Sequence, residues 1–296
     1  MFEEKEVNMK SEYTRLAQRV SGLFVELPQV AAIALSGSQG CQGKDPAQID
    51  SASDIDLYVY TKTDIPLEVR LELMERSGGA KRASMGLNFW GPGDEWFDAE
   101  TGIEVDMIYF DTRWMEDQIK RVALDHQPSL GYSTCLWYTV RQSQVYYDPN
   151  GWFGGLQELC QRPFPEALRQ NIIAHNYPVL REIIPSYFFQ IEKAVKRGDL
   201  VSVNHRLAGL LASYFDILFA FNWELHPGEK RLVQKTAALC ARLPQDFQVD
   251  LQDVLNQSGV ADRQFLARLG DLLDHLDQLL ALDGFSKGAI DSSDGR

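Results

Sequence analysis

The hydrophobic pattern of the chain changes near Tyr147, and this change limits the folds that the chain can adopt. Before that point, segments with helical spacing alternate with short segments in which every second residue is apolar. Beyond it, almost every periodic segment has the spacing of a helix, which predicts a helical bundle. The sequence therefore predicts an α+β protein, with a small mixed-sheet domain over residues 1–150 and an all-α domain over residues 151–296.

The mixed half is predicted to begin with an amphipathic helix over residues 5–26, in which the apolar positions are Tyr13, Leu16, Val20 and Phe24. A second helix is predicted at "PLEVRLELMER", and "GPGD" is predicted to be a turn. Four strands are predicted, at Val30–Leu35 and within "DIDLYVY", "ASMGLNFW" and "GIEVDMIYFD".

Two of these strands begin with a pair of acidic residues. Asp54 and Asp56 are two positions apart, as are Glu104 and Asp106, so the members of each pair share one face of their strand. If the two strands are neighbours, three or four carboxylates meet, where they repel one another and raise their own pKa values. A divalent cation relieves this repulsion, and oxygen-rich clusters favour Mg²⁺ or Mn²⁺.

A Gly-Ser turn precedes the first acidic pair. Gly37 allows a ligand to approach the backbone closely, and successive N–H groups around Ser38 are suited to phosphate oxygens. A phosphate site beside a metal-binding acidic face is what nucleotidyl transfer requires. Taken singly, Asp54 can be the cap of a strand end and Asp56 the partner of an arginine, but the ordered combination favours the functional interpretation.

The motifs "LSGS", "SDIDLYVY" and "IEVDMIYF" together resemble those of the nucleotidyltransferase superfamily that includes DNA polymerase β. The chain looks most similar to the bacterial branch of the kanamycin and lincosamide nucleotidyltransferases. That branch joins an N-terminal mixed domain to a C-terminal helical domain, which agrees with the change of pattern near Tyr147. The resemblance covers residues 30–111 well and the helical half more loosely.

The resemblance implies that Gly37 and Ser38 bind the phosphates of a nucleoside triphosphate. It implies a set of metal ligands, for Mg²⁺ or Mn²⁺, that consists of Asp54, Asp56 and Asp106. Glu104 shares the face of Asp106 and is the candidate base that takes the proton of the acceptor hydroxyl. Which of Glu104 and Asp106 binds the metal stays open, and we favour Asp106.

In the helical half, the stretch "HPGEKRL" is similar to Pro-Gly-x-Lys stretches of related two-domain enzymes. This similarity implies that Lys230 contacts the triphosphate, and an ordinary solvated helix start is the equal alternative. We expect His205 to be structural, and we expect Trp90 and Trp96 to serve in packing. A core role is also expected for the aromatic and aliphatic stripe Tyr214, Phe215, Leu218 and Phe221.

Composition narrows the class of partner. The formal charge of −13 argues against nucleic acid as the main partner and suits a cationic acceptor. The four cysteines are scattered, so the spacing predicts neither a zinc site nor a disulfide framework. The N-terminal residues lack the apolar segment of a signal peptide, and no apolar run reaches the length of a membrane span, so we expect a cytoplasmic protein without a membrane partner.

The leading hypothesis is an enzyme that moves a nucleoside monophosphate from a nucleoside triphosphate to a hydroxyl of a small molecule, with release of pyrophosphate. Modification of a protein or an RNA, as in toxin-like relatives, is the alternative within the same chemistry. A third possibility is a non-catalytic, antitoxin-like binding module. The resemblance also implies that a homodimer is compatible with the helical domain.

Overall fold

The computed structural model describes residues 2–37, 54–89 and 91–285. In chain order, the helices are α1 (Phe2–Phe24), α2 (Leu67–Arg76), α3 (Thr112–Ala123), α4 (Cys135–Gln142), α5 (Trp152–Cys160), α6 (Glu166–Arg181), α7 (Tyr187–Arg197), α8 (Leu200–Phe221), α9 (Leu232–Leu239), α10 (Phe247–Gln257) and α11 (Arg263–Ala281). The strands are β1 (Val30–Leu35), β2 (Ile55–Thr61), β3 (Ala80–Leu87), β4 (Gly93–Asp98), β5 (Glu104–Asp111) and β6 (Gln144–Tyr147).

Contacts divide the chain into two compact units. The first, here called the sheet unit, comprises residues 1–120 and 139–162, and the second, the helical unit, comprises residues 121–138 and 163–296. The division passes through α3 and α4, whereas the sequence analysis places its boundary after residue 150. A mixed sheet with helices, followed by a helical region, confirms the predicted α+β class.

The sheet has the strand order β3-β4-β5-β2-β1-β6. The central strands β2 and β5 run parallel, and every other neighbouring pair is antiparallel. A parallel pair requires a crossover, and here the chain makes it through α2 and the β3–β4 hairpin. The two acidic strand starts are therefore side by side at one end of the sheet.

Three of the strands differ from the sequence-based expectation. The segment that contains "GPGD" was expected to be a turn, but Gly93 and Asp94 already belong to β4, which pairs with β3 as a hairpin. Only the first five residues of the expected strand "ASMGLNFW" belong to β3, and Trp90 lies outside the described residues. The short edge strand β6 was not predicted, because four partly exposed residues carry little periodic signal.

One face of the sheet packs against α1 and α2. Tyr13, Leu16, Val20 and Phe24 of α1 are all buried in this core, which confirms the predicted amphipathic face. Trp96 of β4 is also buried there and has the expected packing role. Burial of an aliphatic or aromatic side chain of this size contributes roughly 1.5–3 kcal/mol relative to its exposure.

The same face holds a buried carboxylate that is fully bonded. Asp94 accepts hydrogen bonds from both the Arg70 guanidinium (3.0 Å to each oxygen) and the Tyr109 hydroxyl (2.7 Å). It also accepts one from the backbone N–H of Gly86 at 2.7 Å, and its side chain has no exposed surface. Because Asp94 lies in β4 and its partners lie in α2, β3 and β5, this network holds the hairpin in place on the sheet.

The opposite face of the sheet is covered at one end by α5. Tyr60, near the end of β2, packs against Phe153 and Trp152, with ring centroids 4.8 and 5.3 Å apart. The other end of β2 on this face carries Asp56. On this face of β2, the aromatic contacts of Tyr60 are thus at one end of the strand and Asp56 is at the other.

The helical unit is organised around α8, which contacts α6, α7 and α9. Its stripe of Tyr214, Phe215, Leu218 and Phe221 is buried, which confirms the predicted core role, whereas His205 is exposed. Within the described ranges, none of the helices combines the length and the apolar character that a membrane crossing demands.

A second buried carboxylate, Asp216, lies in α8. It accepts hydrogen bonds from the backbone N–H and hydroxyl of Ser133, at 3.0 and 2.6 Å, and from the side-chain amide of Asn176 at 3.3 Å. Complete burial nevertheless raises the pKa of Asp216 to about 7, against the opposing effect of the Ser133 hydrogen bonds. Asp216 thereby holds the segment around Ser133 on the bundle and carries a titration near neutral pH.

We expect Arg70→Met to lower the free energy of unfolding by about 3 kcal/mol, because it leaves the Asp94 charge buried without its cation. The matched control is Arg76→Met in the same helix, where an exposed pair with Glu26 contributes at most about 1 kcal/mol. Urea unfolding of the full chain measures both, and equal losses for the two variants would contradict the role of the Asp94 network.

The Asp216 carboxyl should make stability depend on pH. Its pKa is about 7 when folded and about 3.9 in an unfolded chain, so the folded state binds the extra proton and loses stability as the pH rises through that interval. Asp216→Asn has no such titration, so its deficit relative to the wild type should be larger at pH 4.5 than at pH 8.5. Chemical unfolding at both pH values tests this, and a deficit that is the same at both would count against it.

Candidate active site

The parallel register of β2 and β5 decides which carboxylates meet. Asp56 of β2 lies opposite Asp106 of β5, and Ile55 lies opposite Val105 on the other, core-facing side. Neighbouring strands are about 4.8 Å apart, so side chains that are paired in this way are direct neighbours on one face. Asp54 lies immediately before β2 and is half-buried, as are Glu104 and Asp106. The acidic starts of β2 and β5 are therefore neighbours on one face of the sheet.

Asp56 is the most enclosed member of this group, with 7% of its surface exposed. Its backbone carbonyl accepts a hydrogen bond of 2.9 Å from the N–H of Ser36, the residue that follows β1. The next residue, Gly37, has a φ of +60°, and a Cβ at that position would overlap Oδ2 of Asp56. Only glycine satisfies both conditions without a shift of its surroundings. The backbone at Ser36 and Gly37, here called the Gly37 turn, therefore lies directly against the Asp56 carboxylate.

A further acidic residue joins the group from β4. Glu95 lies directly opposite Asp106 in the antiparallel pair of β4 and β5, and it is half-buried. Glu95 is not among the residues predicted from the sequence, because "GPGD" before it has the composition of a turn. The signal that would have found it is the alternation in "GDEWFD", where a buried Trp96 places Glu95 and Phe97 on the opposite face.

The ionisation of Asp106 is affected by its surroundings. Burial is the largest cause that raises the pKa of Asp106, and the charges of Asp56, Glu95, Asp54 and Glu104 follow in that order; together they raise it to about 7. A carboxyl group with this pKa gains a proton readily near neutrality. The arrangement is therefore unfavourable in the absence of a cation, as expected for a site that binds one.

Tyr58 follows Asp56 on the same face of β2. Burial first, and then the charge of Asp56, raise the pKa of its phenol to about 12, while a hydrogen bond with the Ser36 side chain opposes this effect. The phenol is consequently a neutral hydrogen-bonding group at physiological pH. It connects β2 to the residue that begins the Gly37 turn.

The carboxylates do not form a closed set of ligands as they stand. Over residues 2–37, 54–89 and 91–285, no three side chains of the His, Cys, Asp or Glu types are arranged as a preformed metal site. Their oxygen atoms are nevertheless of the kind that Mg²⁺ and Mn²⁺ prefer, and their mutual repulsion is the condition that such an ion removes. Rotation of the side chains about their own bonds is what binding would require.

Two other residues, Ser38 and Lys230, are predicted from the sequence to contact the phosphates. Ser38 lies outside the described residues, so its predicted contact with phosphate stays a prediction. Lys230 is exposed in a turn of the helical unit, before α9 begins at Leu232. Its predicted contact with the triphosphate also stays a prediction.

Comparison with known proteins adds little to this geometry. Residues 133–232, which are 100 of the 296, match the profile of a domain of unknown function, DUF4037. No curated protein matches the chain. Among solved structures, a nucleotidyltransferase-like protein from Exiguobacterium sibiricum is similar, with 12% sequence identity and a TM-score of 0.41 over 88% of this chain and 71% of that one. A likeness this distant carries no functional argument.

We expect Gly37→Ala to be more destabilising than a positive-φ glycine substitution alone. Gly151→Ala is the matched control, because Gly151 has a φ of +67° but open space around its Cβ position. The left-handed backbone costs about 1–2 kcal/mol in both variants, and only Gly37→Ala adds the overlap with Asp56.

Urea unfolding of both variants, and of Gly37→Ala in an Asp56→Ala background, measures the difference. The excess loss should disappear in the double variant because the overlapping carboxylate is gone. An equal loss for Gly37→Ala and Gly151→Ala would show that the turn is not pressed against Asp56.

Proposed function

We propose that the protein transfers a nucleoside monophosphate from a nucleoside triphosphate to a hydroxyl group of a small-molecule acceptor. The observation that carries the proposal is the pairing of Asp56 with Asp106 on one sheet face, with the Gly37 turn pressed against Asp56. The acidic cluster is suited to bind a cation, and the Gly37 turn is suited to bind the phosphates that this cation accompanies.

The residues that would hold a divalent cation are Asp54, Asp56 and Asp106. The donor set fits Mg²⁺ or Mn²⁺, since it consists of carboxylate oxygens that already raise the pKa of Asp106. When bound, such an ion neutralises charge on the phosphate oxygens and makes the acceptor hydroxyl more acidic. Ligation by Asp106 rather than Glu104 is favoured by the register, because Asp106 and not Glu104 lies opposite Asp56.

The chain's own groups then have separable tasks. Backbone N–H groups of the turn around Gly37 and Ser38 bind the β- and γ-phosphates, and Lys230 is a further candidate for this contact. The acceptor oxygen forms a bond to the α-phosphorus while the bond from that phosphorus to the bridging oxygen breaks. Pyrophosphate leaves with that oxygen, and the proton of the acceptor passes to a carboxylate of the cluster.

The geometry favours catalysis over a binding-only role. A binding module has no need for several carboxylates that repel one another on a partly buried face, and such a cluster lowers the stability of the fold. The negative charge of the chain also disfavours RNA as the acceptor, compared with a small molecule or a protein. The acceptor class is therefore proposed to be a small molecule that bears a hydroxyl group.

Nucleotide binding provides the first test. ATP, GTP, CTP and UTP are titrated into the protein by calorimetry, with Mg²⁺ and with EDTA, and at least one should bind in a metal-dependent manner. Asp54→Asn and Asp56→Asn should each weaken that binding by at least about tenfold, which corresponds to about 1.4 kcal/mol.

The control for this experiment is Asp117→Asn, which removes an exposed carboxylate of α3 in the same unit. Its affinity should stay within about twofold of the wild type. The proposal fails if no nucleotide binds at millimolar concentration, or if binding is indifferent to the metal and to both site variants.

A further inference from the structure

The order of the strands separates the two sides of the acidic cluster. The Gly37 turn follows β1, on one side of Asp56, while β4 borders β5 on the other side of Asp106. Across the face, the order is therefore the Gly37 turn, Asp56, Asp106 and then the outward-facing residues of β4.

Nucleotidyl transfer proceeds with the attacking and leaving oxygens roughly in line on opposite sides of the phosphorus. If the leaving pyrophosphate lies over the Gly37 turn, the attacking hydroxyl approaches from the side of β4. A base for that hydroxyl must lie within hydrogen-bond reach of it, so β4 is the strand that has to supply the group.

Glu95 is the carboxylate that β4 presents there. It lies directly opposite Asp106 in the antiparallel pair of β4 and β5. The adjacent residue, Asp94, is held on the reverse face by Arg70 and Tyr109, which prevents β4 from slipping by one residue and turning Glu95 away.

Glu104 is less well placed for the same task. It lies in β5, on the strand of Asp106 itself, and its partner in β4 is Phe97 rather than another carboxylate. Beyond Glu95, the next strand is β3, whose Ser84 pairs with Glu95. An acceptor that approaches from this side therefore contacts the Ser84 hydroxyl and the half-buried ring of Phe97.

We propose that Glu95, and not Glu104, is the general base that takes the proton of the acceptor hydroxyl. The assignment rests on the proposed function. The hydroxyl proton passes to an oxygen of Glu95 as the acceptor oxygen bonds to the α-phosphorus, and the pyrophosphate leaves with the electron pair of the broken bond. Glu95 then gives up the proton to solvent.

The test uses two readouts on the full chain. Mn²⁺ binding is measured by electron paramagnetic resonance in the presence of the nucleotide that binds most tightly. Pyrophosphate release from the same nucleotide is measured with water, glycerol and methanol as acceptors. The variants are Glu95→Gln, Glu104→Gln and Asp106→Asn, with Glu72→Gln on the exposed side of α2 as the control.

Glu95→Gln should keep its Mn²⁺ affinity within about twofold of the wild type and should lose about 10²–10⁴-fold in the rate of pyrophosphate release. Asp106→Asn should weaken Mn²⁺ binding, and Glu104→Gln should slow release less than Glu95→Gln does.

Three results overturn the assignment. Weakened Mn²⁺ binding in Glu95→Gln, as strong as in Asp106→Asn, would make Glu95 a ligand instead of a base. A larger loss of rate in Glu104→Gln would transfer the role to Glu104 and leave the proposed function intact. Absence of nucleotide binding, or of any pyrophosphate release, in the wild type would refute the proposed function and the assignment together.

Discussion

The parallel pairing of β2 with β5 is the contact on which the rest of the site depends. It sets Asp56 beside Asp106 on a partly buried face, where burial and then the charges of its neighbours raise the pKa of Asp106. A sheet does not bring such groups together for stability, because each carboxylate would be better solvated apart from the others. Neighbouring elements hold this unfavourable register. The Gly37 turn, which follows β1, contacts Asp56, and β4 of the β3–β4 hairpin pairs with β5 at Asp106.

The two faces of β4 show how the same kind of residue serves opposite purposes. Asp94 faces the core, where hydrogen bonds from Arg70, Tyr109 and Gly86 satisfy its charge. Glu95, one residue later, faces a carboxylate instead of a cation. The hydrogen bonds of Asp94 fix β4 in one register. Because successive side chains alternate between faces, this register also fixes Glu95 on the reverse face, where a ligand can bind. Asp94, which stabilises the fold, and Glu95, the proposed base, are therefore consecutive residues on opposite faces of one strand.

Several parts of the fold could be predicted because they depend on local pattern. The face of α1, the position of β1 and the acidic starts of β2 and β5 all follow from periodicity over a few residues. The start of β4 was missed, because the two glycines and the proline of "GPGD" look like a turn until Asp94 has its partners. Those partners lie 24 and 15 residues away in the chain, at Arg70 and Tyr109, and no local pattern announces them.

By itself, the sequence determined the fold class and which carboxylates share a strand face, because both depend on spacing along the chain. It also indicated the Gly-Ser turn, since only glycine adopts the left-handed backbone without strain. Only the tertiary structure decided that Asp56 pairs with Asp106, that Gly37 touches Asp56 and that Glu95 joins the cluster. These facts depend on strand order and register, which are set by side-chain contacts between segments far apart in the chain.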